Sequence, residues 1–405
     1  MVVVGGGECG ARAALAMRAA GWTGPVTLVG EEAMAPYERP PLSKAALIGD
    51  APSPATICDE TALRDAGISF LAGVPVTHVD RDAHEIGLAD GRRLGYERLL
   101  LATGAAPRRL PLPGADGVRY LRTHADALAL RERLRPGARV GVVGGGFIGL
   151  ELAASAVARG CTVTVVEVAP RLMGRVVPVE VAAVLADRHT RAGVDVRCGV
   201  GLAGLEPTGL DLDTGETVPC DVVVAGIGAV PETALAEKAG LAVDDGLRVD
   251  ARLATSDPDV FAAGDCCSFP HPLYDDRRIR LESWRNAQDQ GTAAARSMLG
   301  ADEPFAAVPW MWSDQYELTL QIAGLPDAAV TEVVRRRPDG VEIRFGLGED
   351  GRLLAASAVG EGNAVARDVR VAELLVGRRA TPAPAALADP AVPLKSLLRG
   401  AGCTA

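Results

Sequence analysis

Two stretches of this chain repeat one arrangement of chemically useful glycines. Gly5, Gly7 and Gly10 in "VVVGGGECGARAAL" and Gly144, Gly146 and Gly149 in "VGVVGGGFIGLELAA" both read G-x-G-x-x-G. An apolar run precedes each, and a run of helix formers follows. The first glycine permits a sharp strand-to-helix turn, the second lets backbone approach a pyrophosphate, and the third lets the helix pack close to the strand. The helix N-terminus then aims N–H groups at phosphate oxygens. A carboxylate ending the next strand would accept a hydrogen bond from a ribose hydroxyl. Glu31 stands 21 residues after Gly10 in "VTLVGEE", and Glu167 stands 18 residues after Gly149 at the end of "TVTVVE". A carboxylate repels a 2′-phosphate, so the second copy is expected to prefer NAD(H), a preference that the nearby Arg171 and Arg175 could soften. Two dinucleotide sites in one chain point to an electron relay, with a tightly held flavin in one and an exchangeable nicotinamide in the other.

Other reactive residue types narrow the chemistry. Lys44, Lys238 and Lys395 are the only lysines. Lys44 lies in the apolar, proline-rich "PYERPPLSK", where a functional role is favoured over a solvated charge. Eight cysteines are scattered, with no C-x-x-C or C-x-x-x-x-C pair, so neither a redox dithiol nor a common zinc site is expected. Cys9, inside the first glycine turn, reads as a small space-filler, and the adjacent Cys266 and Cys267 as buried thiols. His78, His84, His124, His189 and His271 lack metal-ligand spacing and are expected to be solvated or structural. Asp265, in "VFAAGDCC", suits either an Asp turn or a ligand contact. Trp310 reads as core. "RRRPD" from Arg335 reads as a solvated turn, with part of a docking patch as the alternative.

The elements that must position these residues follow from hydrophobic patterning. Residues 2–5, 25–29 and 97–102 read as buried strands and 8–20 as a helix, which makes a parallel β-α-β unit. The same order recurs over 139–143, 147–159 and 162–167. Pro/Gly-rich joints fall at 107–117 and within 221–233. Past Trp310, "LTLQIAG", "TEVVRRR", "VEIRFGL" and "LLAASAVG" read as sheet strands, followed by a helix in "AVARDVRVAELLVGR". The expected fold class is α/β, with two Rossmann-like dinucleotide-binding domains plus a C-terminal α+β domain. The 405 residues suffice for two or three domains, and the net charge of −10 argues against general nucleic-acid binding. No uninterrupted apolar segment has membrane-spanning length, and no basic, apolar leader precedes the strand pattern at Met1. A cytoplasmic protein is expected.

With these motifs in place, the chain resembles the flavin- and NADH-dependent ferredoxin reductases that feed Rieske-type dioxygenases and haem-thiolate monooxygenases, which share the glutathione-reductase-like double-Rossmann fold. The resemblance runs from Val2 to about Arg399 and rests also on "PYERPPLSK", "LLLATGAAPR", "YLRT", "VFAAGDC", "RLESWRNAQDQG" and "PWMWSDQYELTLQIAG". It implies FAD and NADH as cofactors and a [2Fe–2S] ferredoxin as partner. It implies an FAD-binding domain over 1–108 and 232–312, an NAD-binding domain over 109–231 and a C-terminal reductase domain over 313–405. Gly5, Gly7 and Gly10 would cradle the FAD pyrophosphate, with Cys9 where a small flavin-contacting residue sits, and Glu31 would hold its adenosine ribose. Arg39, Lys44, Val76, Ala102, Thr103, Gly104, Arg122, Asp265, Trp284 and Trp312 would complete the flavin site, with the Lys44 ammonium near flavin N5. Gly144, Gly146, Phe147, Ile148, Gly149, Glu167 and Arg175 would hold NADH, and Glu151 would orient the nicotinamide carboxamide. Disulfide reductases of this fold carry a C-x-x-x-x-C pair, and peroxide-reducing relatives carry a cysteine where "PPLSKAAL" has Lys44, so thiol chemistry is not expected. Reduction of rubredoxin, a quinone or another small molecule is the alternative, and a redox-sensing interaction protein is a further one.

Overall fold

The computed structural model describes residues 1–49, 53–174, 176–206 and 209–399; Arg175 and Cys403 lie outside the described residues. The chain divides into two compact units, Met1–Arg39, Pro54–Ala106 and Val230–Pro309 forming one, and Pro40–Ser53, Pro107–Ala229 and Trp310–Ala405 the other.

In the first unit the runs VVV (Val2–Val4), VTLV (Val26–Val29), ISFL (Ile68–Leu71), LLL (Leu99–Leu101) and VFA (Val260–Ala262) form one five-stranded sheet. All pairings are parallel, with Val2–Val4 between Val26–Val29 and Leu99–Leu101. Burial on both faces explains why the central strands are apolar throughout and do not alternate. In chain order the five strands are arranged 3-2-1-4-5, so the order reverses beside the opening strand. A doubly wound sheet binds ligands at such a reversal, outside the carboxyl ends of its strands. Helix Glu8–Ala19 follows the opening strand and packs against helix Trp284–Met298; a Cβ at Gly291 would stand 2.4 Å from the Cys9 carbonyl oxygen, so the crossing needs a glycine.

The second unit repeats this plan. Arg139–Val143, Thr162–Glu167, Asp195–Cys198 and Val222–Ala225 form a parallel sheet in the order 3-2-1-4. Helix Phe147–Ala158 follows its first strand and is buried along most of its length. The same unit carries a five-stranded antiparallel sheet, in spatial order Trp310–Gln315, Leu318–Gly324, Leu353–Glu361, Glu342–Leu347 and Thr331–Arg336. Helix Ala366–Gly377 packs on it. The chain is thus a mixed α/β protein with two parallel dinucleotide-binding sheets and a C-terminal α+β part. No helix among the described residues is long and apolar enough to cross a membrane.

Two local expectations are corrected. Arg335 is not in a solvated turn. It lies on strand Thr331–Arg336 with 5% of its surface exposed, and its guanidinium donates to the carbonyls of Leu387 (3.0 Å), Pro390 (3.3 Å) and Val392 (2.6 Å). A Pro-rich segment has few ladder partners for its carbonyls, and the five-donor fork supplies them. Burial holds the guanidinium below its ordinary pKa. Trp310 is only half-buried and stacks on Trp312 with ring centroids 5.4 Å apart, because residues two apart on a strand share a face. His189 and His271 are fully buried and hydrogen-bonded, as structural histidines are.

Candidate functional site

The first glycine turn is built entirely in the first unit. Gly5 has φ +117, and a Cβ there would stand 2.1 Å from the Ala102 carbonyl oxygen; at Gly10 it would stand 1.9 Å from the Gly5 oxygen. Both glycines are therefore required by the protein's own backbone. Gly7 differs. Its φ of −84 is open to any residue, and among the described residues no heavy atom beyond its chain neighbours lies within 4 Å of a Cβ placed there. Packing gives no reason for a glycine, and the space beside it is open. Gly7 is also the N-cap of helix Glu8–Ala19, so no cap side chain answers the first-turn N–H groups. Helix Trp284–Met298, by contrast, is capped by the Ser283 hydroxyl, which accepts from Asn286 N–H at 3.2 Å.

Around this turn, Ala102, Thr103 and Gly104 follow the strand beside the opening one, and the Thr103 hydroxyl donates to Glu232 O at 2.8 Å. Asp265 is half-buried after Gly264, whose φ is +85 and whose N–H donates to the buried Gln290 side chain at 2.7 Å. Glu31 is exposed just past Val26–Val29. The neighbouring Glu32, which sequence reasoning passed over, accepts from Arg39 at 2.9 Å and from the Tyr37 hydroxyl at 2.5 Å. Val76 is half-buried at the start of its strand, and Trp284 opens the helix. Burial raises the Cys9, Cys266 and Cys267 thiols above their ordinary pKa, which keeps them protonated and poor nucleophiles.

The second turn reproduces the first. Gly144 has φ +102, and a Cβ at Gly149 would stand 2.1 Å from the Gly144 oxygen. Gly146 is again a helix N-cap facing open space, the nearest atom to a Cβ being Gly226 O at 3.9 Å. Gly226, which follows strand Val222–Ala225, mirrors Ala102, its carbonyl oxygen standing 2.6 Å from a Cβ placed at Gly144, and was not singled out from sequence. The Glu167 carboxylate accepts from Gly145 N–H at 2.7 Å and from Ala169 N–H at 2.8 Å, so it is held at the rim of the turn. Arg171 is bound locally to the carbonyls of Leu172 (3.4 Å) and Gly174 (3.0 Å). Phe147 is half-buried, and Ile148 is 46% exposed in the first turn of an otherwise buried helix.

Within the same unit, Glu151 is buried on the second glycine helix and gathers three donors. Lys44 Nζ lies 3.0 Å from Oε1, the Ser313 hydroxyl donates to Oε1 at 2.6 Å, and the Ser43 hydroxyl donates to Oε2 at 2.5 Å. Lys44 also stands 5.8 Å from the centroid of the Trp312 ring, and Trp312 donates through Nε1 to Asp314 at 3.0 Å. Arg122 precedes the helix at His124–Arg131, where Asp126 Oδ2 accepts from its backbone N–H at 3.1 Å. Ser43 and Ser313 were missed from sequence: they lie 108 and 162 residues from Glu151, and serines give no signal of such a contact. Among the described residues, no three His, Cys, Asp or Glu side chains are grouped to hold a metal.

Residues 1–291 match the pyridine nucleotide-disulphide oxidoreductase family, and residues 310–398 match the reductase C-terminal domain. The chain is 43% identical to the ferredoxin–NAD(+) reductase component of an anthranilate 1,2-dioxygenase system from Burkholderia cepacia, over 98% of each chain. It is 37% identical to putidaredoxin reductase CamA of Pseudomonas putida, over 99% of this chain and 97% of that one. In structure it is similar to the reductase of the covalent putidaredoxin reductase–putidaredoxin complex (TM-score 0.92, 37% identity, 99% and 98% coverage). It is equally similar to the ferredoxin reductase for the CYP199A2 system from Rhodopseudomonas palustris (TM-score 0.92, 36% identity, 98% of each chain).

Proposed function

Because the chain belongs to the pyridine nucleotide-disulphide oxidoreductase family and carries a reductase C-terminal domain, we propose that it passes electrons from NADH through FAD to a [2Fe–2S] ferredoxin that feeds an oxygenase. The observation that carries this reading is the pair of open cradles at Gly7 and Gly146, each made by a glycine that the protein's packing does not require. One cradle suits a resident dinucleotide and the other an exchanging one. Bound FAD supplies the conversion of a hydride into single electrons.

The chain's own residues then have the following assignments. Gly5, Gly7, Cys9 and Gly10, with Glu31, Arg39, Val76, Ala102, Thr103, Gly104, Arg122, Asp265 and Trp284, hold FAD, and Lys44 and Trp312 serve its ring system. Gly144, Gly146, Phe147, Ile148, Gly149, Glu167 and Arg175 hold NADH. The exposed Ile148 gives the nicotinamide dinucleotide an apolar surface that the core does not use. Glu167 favours a free 2′-hydroxyl over a 2′-phosphate. An ionised carboxylate has room for about four donors, and Glu151 receives three, which leaves capacity for the nicotinamide carboxamide. No general acid or base is assigned, since hydride transfer needs none. Residues 1–108 with 232–312 are assigned to FAD, 109–231 to NADH and 313–405 to the C-terminal reductase domain. The reaction is assigned to the cytoplasm, where NADH is at hand.

The test is anaerobic. The purified protein should show a flavin spectrum, bleach with NADH faster than with NADPH, and reduce a [2Fe–2S] ferredoxin faster than rubredoxin, quinone or oxygen. Turnover with every ferredoxin at the background rate would refute the reading, and preferential reduction of rubredoxin or quinone would replace it.

A further inference from the structure

We infer that Gln315 and His189 are positioning residues that hold the Glu151 carboxylate turned toward Lys44, through a buried hydrogen-bond chain whose donors all point one way. The use made of Glu151 rests on the reductase reading above; the chain itself rests on geometry. Ser313 has one hydroxyl proton, and it goes to Glu151 Oε1 at 2.6 Å. The Ser313 oxygen is then an acceptor for Gln315 Nε2 at 3.1 Å, which fixes the amide orientation. The Gln315 carbonyl oxygen must accept from the far side, so His189 carries its proton on Nε2, 3.0 Å away. His189 Nδ1 is left to accept from the Tyr316 hydroxyl at 3.1 Å.

The surroundings enforce this one tautomer. His189, Gln315 and Ser313 are each 0% exposed, so no bulk water competes for these atoms. Burial lowers the His189 pKa; the hydrogen bond to Gln315 opposes this in part, and the adjacent Arg188 lowers it again. Among the described residues, the ionisable groups acting on the ring are Tyr316 and Arg188, with Glu317 held in the Arg188 fork at 2.6 and 2.9 Å. Burial raises the Tyr316 phenol to about 12, so it remains a donor. Tyr316 sits at φ +57, a costly conformation for a bulky residue, and Arg188 lies 4.0 Å from its ring centroid. The chain thus joins helix Val179–Arg191 and strand Trp310–Gln315 to the Lys44–Glu151 pair, and aligned donors polarise one another.

The test has one arm that needs no turnover. ¹⁵N NMR of the imidazoles in the wild-type full-length chain should show His189 protonated on Nε2 and bare on Nδ1 throughout pH 6–9. The second arm uses Gln315→Leu, His189→Leu and His189→Gln, read by stopped-flow flavin reduction at saturating NADH. The two leucine variants should lose about ten-fold in rate, the effect of roughly one net hydrogen bond, with flavin content and NADH affinity unchanged. His189→Gln, whose amide offers both a donor and an acceptor, should stay within about two-fold of wild type. A packing role would rank these variants the other way, since leucine suits a dry site better than glutamine. An Nδ1–H tautomer, titration at the ordinary histidine value, or wild-type rates in His189→Leu would overturn the inference. Wild-type protein that NADH does not reduce would sink the reductase reading instead, and the tautomer would still be decided by NMR.

Discussion

Replacing Gly7 by serine should separate folding from cofactor binding. The position has φ −84 and ψ −168, extended backbone that serine adopts freely, and no protein atom beyond the chain neighbours lies within 4 Å of the added Cβ among the described residues. Gly7 is a helix N-cap, where serine outranks glycine by a few tenths of a kcal/mol. The apo protein should therefore melt at the wild-type temperature or slightly above it. The same side chain occupies the space assigned to the pyrophosphate and turns its hydroxyl onto the N–H groups that should meet phosphate. Losing two charge-assisted hydrogen bonds of about 1.5–3 kcal/mol each weakens FAD binding by about 10²–10⁴-fold. Gly10→Ala is the comparator: its Cβ would stand 1.9 Å from Gly5 O, backbone against backbone, and should destabilise the apo fold by about 3 kcal/mol. The assay pairs thermal melting of the flavin-free proteins with FAD titration by fluorescence quenching. Gly7→Ser that binds FAD as tightly as wild type, or that melts as low as Gly10→Ala, would refute the reasoning.

Three further outcomes are expected. Glu167→Arg removes the carboxylate held by Gly145 and Ala169 N–H and should swing the ratio of kcat/KM for NADH over NADPH toward NADPH, an unchanged ratio counting against the second cradle as the nicotinamide site. Arg335→Ala leaves the carbonyls of Leu387, Pro390 and Val392 without their donor; it should lower stability by about 2–4 kcal/mol and speed proteolysis within residues 380–399, as urea titration and limited digestion would show. Burial lowers the pKa of both His189 and His271. The unfolded chain therefore takes up protons first on acidification, so their contribution is complete above about pH 6.5 and declines as pH falls toward the folded values. Urea midpoints between pH 5 and 8 should show this decline, reduced in His189→Gln.

What was legible in the sequence is what the backbone decides locally. The turns at Gly5–Gly10 and Gly144–Gly149 could be read because a strand, a positive φ and a close helix crossing fall within ten residues. The apolar VVV and LLL runs announced buried strands of a parallel unit. Contacts made across long separations were not legible. Nothing in "PYERPPLSK" says that Ser43 and Lys44 will meet Glu151, and nothing in "SDQYE" says that Ser313 and Gln315 will share a face with a buried histidine 126 residues from Gln315. Arg335 misled because composition sees only charge, whereas burial depends on whether carbonyls elsewhere need donors. Trp310 misled for a similar reason, since an aromatic residue suits a core and a half-exposed stacked face alike.

The split of the first sheet across the chain has a consequence for biosynthesis. Its fifth strand, Val260–Ala262, leaves the ribosome 159 residues after its neighbour Leu99–Leu101. At ordinary translation speeds that is a wait of roughly 8–30 s, during which Leu99–Leu101 presents an unpaired apolar edge. The second sheet has all four strands between Arg139 and Ala225 and can close while the first is still waiting. The second parallel sheet, although it begins later in the sequence, should therefore close first, and a chain truncated before Val260 should expose the first sheet's edge to aggregation while the second sheet is complete.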